Sequence, residues 1–401
     1  VSTQGLEGRK SPSRIWLALL AVLPLLLSGG PGGDRYLVGA HYYAWYPANF
    51  AQGYLRAVLE PRQTPALGEY DSRSAAIAER QIAIAASHGI DFFTLDWWPN
   101  RPKQNEAIDS GLLRASNIAD IRFAVFYESS DLAHGEDPGD SNDIVFDAGT
   151  AARFVSDMVT IARRYFAHPS YLRIDGRPVV ILYITRMVRG LFPRAMREMR
   201  RALAAEGYDP FVIGDEIFWA VIEANEDPAA PSRVTSEPQV SRIRLFDAIT
   251  AYNLYMESLP RHRGYGAESQ FVNDSVKLYR RYRKAGATPI VPDVIPGFND
   301  RGHRLELGHY AIPRRWTEDA AEGSFFAESI ERIAKPLVDD KLRMIMITSW
   351  NEWNEDTAIE PVSIAPPTAD DTSGRRLFTQ GYAYEGFGDT YVDIVRKSLR
   401  H

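Results

Sequence analysis

The chain has 401 residues, 45% of them apolar and 24% charged, with a formal net charge of -6 and no cysteine. That length can bury one large α/β core, since a single α/β barrel needs roughly 250 residues. The acidic balance leaves no basic stripe for a phosphate backbone and argues against nucleic acid as a partner, and the missing thiols exclude disulfides, thiolate nucleophiles and thiolate metal sites.

At the start of the chain Arg9, Lys10 and Arg14 precede the apolar run 15–27, which is followed by Ser28, Gly29, Gly30, Pro31, Gly32 and Gly33. Basic residues, then an apolar stretch too short for the roughly 20 residues of a spanning helix, then small residues, read as a signal peptide. A retained N-terminal anchor is the alternative, and would be the chain's one contact with a membrane. Residues 1–33 are therefore set apart, residues 34–401 are expected to form one barrel domain, and the expected location is secreted or periplasmic.

From Tyr36 onward short apolar runs alternate with helical stretches. Eight runs qualify as buried parallel strands: 37–41, 91–95, 122–127, 179–183, 211–214, 247–251, 289–294 and 343–349. Their near-continuous apolarity suits strands covered on both faces, and their spacing leaves room for a helix each time. The helices predicted over 75–87, 194–206 and 276–284 end before Gly89, Gly207 and Gly286, each expected to be the left-handed residue that closes the helix. A doubly wound sheet would need a glycine-rich turn after its first strand, where His41, Tyr42 and Tyr43 stand instead, so the fold expected is a (β/α)8 barrel. Asp175-Gly176, between 171–174 and 177–179, predicts a type I′ hairpin. Residues 128–147 and 222–241 read as surface insertions.

A barrel of this kind carries its site at the C-terminal ends of the strands. After the first run come Tyr43, Trp45 and Tyr46, after the second Asp96, Trp97 and Trp98, and after the third Glu128. Tyr183 ends the fourth, Asp215 and Glu216 follow the fifth, Tyr252, Asn253 and Tyr255 follow the sixth, and Pro296-Gly297-Phe298-Asn299 the seventh. The eighth leads into Trp350-Asn351-Glu352-Trp353-Asn354-Glu355. Flat rings beside carboxylates and amides suit sugars, which stack their C–H faces and hydrogen-bond through their hydroxyls. Individually such aromatics also serve as caps of a barrel core. Glu352 and Glu355 are the expected catalytic pair, because cleaving a glycosidic bond takes two carboxyls whose proton affinities are pushed apart. The plainer alternative is a helix N-terminus whose acids complement its dipole. The eight histidines form no metal-spaced pair, Asp137, Asp140 and Asp143 lack the order of a calcium loop, and neither a nucleophile elbow nor a phosphate loop is present, so no metal and no cofactor are expected.

Four segments resemble glycoside hydrolase family 99, the endo-acting α-1,2-mannosidases and mannanases, and their family 99-like relatives. They are Ala40-His41-Tyr42-Tyr43-Ala44-Trp45-Tyr46, the stretch from Gly89 to Trp98, the hairpin with Arg173-Ile174-Asp175-Gly176-Arg177-Pro178, and the stretch from Thr348 to Pro361. The resemblance implies an enzyme that acts on an oligosaccharide or polysaccharide with retention, through a 1,2-anhydro intermediate; a monomer is expected. Glu352 would deprotonate the sugar's 2-hydroxyl, and Glu355 would protonate the leaving oxygen and then activate water. Tyr43, Trp45, Tyr46, Asp96, Trp97, Trp98, Glu128, Tyr183, Tyr252, Asn253, Trp350 and Asn351 would contact the substrate. Two departures from the family pattern are Ala44 in place of proline and Asp356 in place of glycine. The added charge of Asp356 is expected either to act on Glu355 or to point into solvent. The alternative function is a barrel that binds or helps process surface polysaccharide without cleaving it.

Overall fold

The computed structural model describes residues 35–132, 144–219, 238–252, 254–255, 260–286 and 288–400, together with Val1. Among them eight strands form one parallel sheet: β1 Leu37–Tyr42, β2 Phe92–Trp97, β3 Arg122–Tyr127, β4 Arg177–Leu182, β5 Phe211–Asp215, β6 Ala248–Thr250, β7 Asp293–Val294 and β8 Met344–Ile347. They pair in the spatial order β7-β8-β1-β2-β3-β4-β5-β6. The ring closes where Ile249 bridges Ile290, through Ile249 N–H to Pro289 O and Val291 N–H to Ile249 O, both 2.9 Å. The run 289–294 thus serves both neighbours, pairing with β6 at Ile290 and with β8 at Asp293 and Val294. This is a (β/α)8 barrel.

Helices cover the outside: α1 Ala75–Ser87, α2 Pro102–Ser110, α3 Ala148–Ile161, α4 Phe192–Ala205, α5 Phe271–Ala285, α6 Ser324–Ser329 and α7 Thr390–Leu399. In α4 the buried Phe192, Ala195, Met196, Met199 and Leu203 recur at three- and four-residue spacing, which lays one stripe on the barrel while the arginines between them face out. Among the described residues no helix is long and apolar enough to cross a membrane. An antiparallel pair, β9 Val362–Thr368 and β10 Tyr384–Gly388, follows the barrel's last strand.

The expected hairpin forms, with Arg173–Ile174 antiparallel to β4 and Asp175 and Gly176 at φ 50 and 77, the two positive values a type I′ turn requires. Of the three closing glycines, Gly89 and Gly207 are left-handed, at φ 91 and 86. Gly286 is not: at φ -134 it is extended. The N-terminal segment 2–34, the acidic residues Asp137, Asp140 and Asp143, most of the insertion 222–241, and Asn253 lie outside the described residues.

Strand alternation decides which side chains fill the barrel. His41, Thr94, Asp293 and Thr348 meet in a buried polar layer: His41 Nε2 lies 3.1 Å from Asp293, His41 Nδ1 lies 2.7 Å from Thr94 Oγ1, and Thr348 Oγ1 donates to Asp293 at 3.0 Å. Below it, the absence of a side chain at Gly39 makes room for the Phe92 ring, which an added Cβ would meet at 2.2 Å. Gly39→Ala is therefore expected to lower stability by about 1–3 kcal/mol, the usual cost of overpacking a close-packed core. Equal urea midpoints for the variant and the wild type would show that Phe92 gives way freely.

Candidate active site

The segment after β8 carries Glu352 and Glu355, and its shape comes from a dense set of short-range bonds. Ser349 Oγ accepts the Glu352 N–H at 2.7 Å and meets Thr357 Oγ1 at 3.1 Å. Glu352 O accepts the Thr357 N–H at 3.2 Å. The two acids thus sit in a turn, and no helix begins there, which removes the reading in which they complement a helix dipole. Asn351 joins this turn to the loop after β1, its Oδ1 accepting the Tyr43 N–H at 2.8 Å and its Nδ2 donating to Tyr43 O at 3.0 Å.

The two carboxyls have different surroundings. Glu352 is 3% exposed, and burial, reinforced by Glu355, pushes its carboxyl well above the usual range, against the pull of Arg304 and of the Asn354 N–H it accepts at 3.0 Å. Glu355 is more open, its side chain 13% exposed, and accepts from Tyr255 Oη at 2.7 Å and Arg304 Nη1 at 3.0 Å. Asp96 and Glu128 are buried nearby. Burial pushes Asp96 up to about 8, against the opposing pull of the Trp98 indole and Arg101. Glu128 is raised well above the carboxylate range by burial and then by Asp96. Four carboxyls therefore share a poorly hydrated space with aromatic walls, where Tyr43 and Tyr252 join hydroxyl to hydroxyl, Trp45 stacks on Tyr43 at 4.4 Å, and Trp98 lies 6.3 Å beyond. Tyr183 packs edge-on against Tyr252 at 5.2 Å.

Several residues expected to touch substrate have another place. Trp350 is fully buried against Phe93, 5.2 Å between rings. Trp97 follows the strand alternation outward and stacks on Tyr127, whose hydroxyl reaches Asp157 on α3. Tyr46 is buried with its hydroxyl bonded to Asn351 O at 2.7 Å, and Asn351 itself is engaged by Tyr43. These four brace the site from behind. Asp215 likewise holds backbone, taking the N–H groups of Ile184 and Tyr252, both at 3.0 Å, and pairing with Arg186. The described residues that share the site are Glu352, Glu355, Asp96, Glu128, Tyr43, Trp45, Trp98, Tyr183 and Tyr252.

Three features were not read from the sequence. Arg304 comes from the short helix Arg301–Arg304 after β7, and nothing around it in sequence marks an ion pair with Glu355. Glu360, in the last resembling motif, is buried and accepts from Tyr70 and Gln81, both at 2.7 Å, and from Trp353 at 3.2 Å; burial raises it to about 7 in spite of these donors. Asp356, expected to reach solvent if it did not act on Glu355, is 1% exposed. Its carboxylate takes Arg56 Nε at 2.8 Å and Arg314 Nε at 2.9 Å, and both guanidiniums lie over the Phe387 ring. Its φ of 49 lies in the left-handed region, which aspartate is among the few residues besides glycine to tolerate.

Residues 36–365 match the family described as Glycosyltransferase WbsX. The chain belongs to that family. Among curated relatives, the uncharacterized protein WxcX of Xanthomonas campestris pv. campestris is 24% identical over 313 residues, which cover 75% of this chain and 41% of WxcX. The chain thus spans less than half the length of that relative. Among solved structures, a GH99 endo-α-mannosidase from Bacteroides thetaiotaomicron aligns with a TM-score of 0.58 at 17% identity, covering 92% of this chain and 97% of that one. A glycoside hydrolase-like protein aligns at 0.61 and 18%, covering 92% and 94%. At such identities the likeness shows the fold alone: this WbsX-family chain is a (β/α)8 barrel.

Two predictions follow from the buried charges. Removing the charge of Asp356 leaves two buried guanidiniums without their counterion, so Asp356→Asn is expected to cost on the order of 3 kcal/mol in urea unfolding, and an unchanged midpoint would mean that the arginines find other partners. For Asp96 the folded carboxyl holds its proton up to about 8 against an unfolded value of 3.8. The native state therefore binds the extra proton between these limits, and the contribution of Asp96 to stability falls as pH rises through that window. Asp96→Asn should flatten the decline in unfolding free energy between pH 5 and 8, and an identical slope in both proteins would contradict the assignment.

Proposed function

We propose that this chain cleaves α-linked glycans with Glu352 and Glu355, the α-1,2-mannoside being the substrate that its resemblance to family 99 favours. The observation that carries the reading is the contrast between the two acids: three residues apart in one turn, one is buried and holds its proton, and the other is ion-paired at a more open position. Two carboxyls in unlike surroundings are what acid–base work at a glycosidic bond draws on. The retaining route that the resemblance implies runs from the opposite ionisation, with the pair's single proton passed from Glu352 to Glu355: Glu352 then takes the proton of the sugar's 2-hydroxyl, O2 attacks C1 to close a 1,2-anhydro ring, and Glu355 protonates the departing oxygen. Glu355 then removes a proton from water as it attacks C1, the ring opens, and O2 recovers its proton from Glu352. Export through the 1–33 segment and a monomeric state belong to the same proposal and rest on the sequence.

The proton held by buried Glu352 favours a second distribution of roles, with Glu352 as the acid toward the leaving oxygen and Glu355 as the base. The family description, Glycosyltransferase WbsX, leaves room for a different reading, a barrel that binds or helps process surface polysaccharide without cleaving it.

All three are separated by assaying product release from α-mannans and α-glucans, with Glu352→Gln and Glu355→Gln alongside. Each substitution is expected to lower turnover at least about 100-fold while leaving binding intact, the range for losing a positioned acid or base. α-Mannosyl fluoride, whose leaving group needs no acid, apportions the roles, since only the variant lacking the acid should still release fluoride. Silence of the wild type on every polymer, with binding retained, would replace cleavage by the non-cleaving reading.

A further inference from the structure

Apart from the carboxyls, a concavity of about 430 Å³ has among its lining residues Arg263, Tyr265, Tyr310, Glu318, Gln380 and Tyr382. Its volume is that of a small-ligand site. Three different connections build it. Arg263 and Tyr265 lie between β6 and α5, Tyr310 and Glu318 between β7 and α6, and Gln380 and Tyr382 beyond β8. Segments that follow barrel strands lie on the C-terminal face, the face that carries Glu352 and Glu355. The segment with Tyr310 also carries Arg304, which holds Glu355.

The walls are shaped from both sides. Tyr265 and Tyr382 meet edge-on at 5.3 Å and 81°, so their planes present two faces of a corner, and Arg263 lies 5.8 Å from the Tyr310 ring. Gln380 ties the wall beyond β8 to the β7 segment, accepting the Ala311 N–H at 2.9 Å and donating to His309 O at 3.4 Å. Tyr265, Tyr310 and Tyr382 are half-buried, whereas Arg263 and Glu318 are exposed. Half-exposed phenol rings at an angle, with a cation, a carboxylate and phenol hydroxyls around them, offer apolar faces and both kinds of hydrogen-bonding partner. An apolar ligand would leave the charged groups unmatched, and a polyanion would meet Glu318. A pyranose ring matches both demands.

We propose that this concavity is a distal glycan subsite, which binds a sugar unit of the same chain whose bond is presented to Glu352 and Glu355. The proposal rests on the reading of the barrel as a glycan-processing enzyme, and it adds that the polymer is gripped away from the reacting bond, so that long chains are favoured over short ones.

The test measures binding of linear α-1,2-mannobiose and α-1,2-mannohexaose by titration calorimetry, migration in gels containing α-mannan or α-glucan, and turnover of both oligosaccharides. The proteins are the wild type, Tyr265→Ala/Tyr382→Ala, and Tyr265→Phe/Tyr382→Phe as a control that keeps the rings. The alanine variant is expected to bind the hexasaccharide or polymer about tenfold more weakly, the effect of removing two stacking faces, with biose binding and turnover unchanged. The phenylalanine variant should keep most of the long-chain affinity. Equal long-chain affinity in the alanine and wild-type proteins overturns the subsite while leaving a cleaving wild type intact. Pocket-dependent polymer binding without turnover upholds the subsite and removes the hydrolase reading. Absence of binding to any of these glycans by the wild type overturns the subsite.

Discussion

One buried carboxylate between two buried arginines anchors the part of the molecule where chemistry is expected. Asp356 follows Glu355 directly, and through Arg56 and Arg314 it fastens the turn after β8 to the loop after β1 and to the segment before α6. Arg314 also donates to the carbonyls of Asp356 and Ala358, at 2.6 and 3.0 Å, so the ion pairs and the backbone geometry of the turn are one construction. Such a cluster is costly to desolvate, and its value lies less in net stability than in allowing few alternative arrangements of the turn. With Asn351 gripping Tyr43 from the other end, the two acids are held between fixed points.

The same burial that makes the turn rigid sets its charge. Asp96, Glu128 and Glu352 are each raised mainly by loss of water, and next by one another in the case of Glu128 and by Glu355 in the case of Glu352. A poorly hydrated group of acids does not ionise in full. Arg304 is the cation that meets the outermost of them, which leaves the inner ones to hold protons. Phenols raised by burial, such as Tyr43, Tyr252 and Tyr255, stay as neutral hydroxyls and supply hydrogen bonds without adding charge.

Much of the fold could be read from one dimension because strand and helix periodicity are local. The run 122–127 and the helix 75–87 have the same limits in the structure as in the sequence pattern, and the Asp175-Gly176 turn follows from the two left-handed residues it demands. The last strand's proximity to the acid pair was equally local. What misled was direction. Trp97 and Trp98 are adjacent and chemically alike, yet the two-residue period of β2 sends Trp97 into the layer beneath the helices and leaves Trp98 beside Asp96. Trp350 and Asn351 belong to the most specific motif and were read as substrate contacts, but the turn buries both, Trp350 against the outward-facing Phe93 and Asn351 in its bonds to Tyr43.

The sequence by itself determined the barrel, the order of its strands along the chain and the end of the barrel where polar and aromatic residues gather, because each of these rests on patterns within about ten neighbouring residues. Only the tertiary structure decided which of those residues face one another. Arg304 meets Glu355 across 51 positions, Arg56 meets Asp356 across 300, and Tyr43 meets Tyr252 across 209. Charge pairing and proton affinity depend on such distances in space and on the water excluded by packing, and neither is recorded in the spacing of residues along the chain.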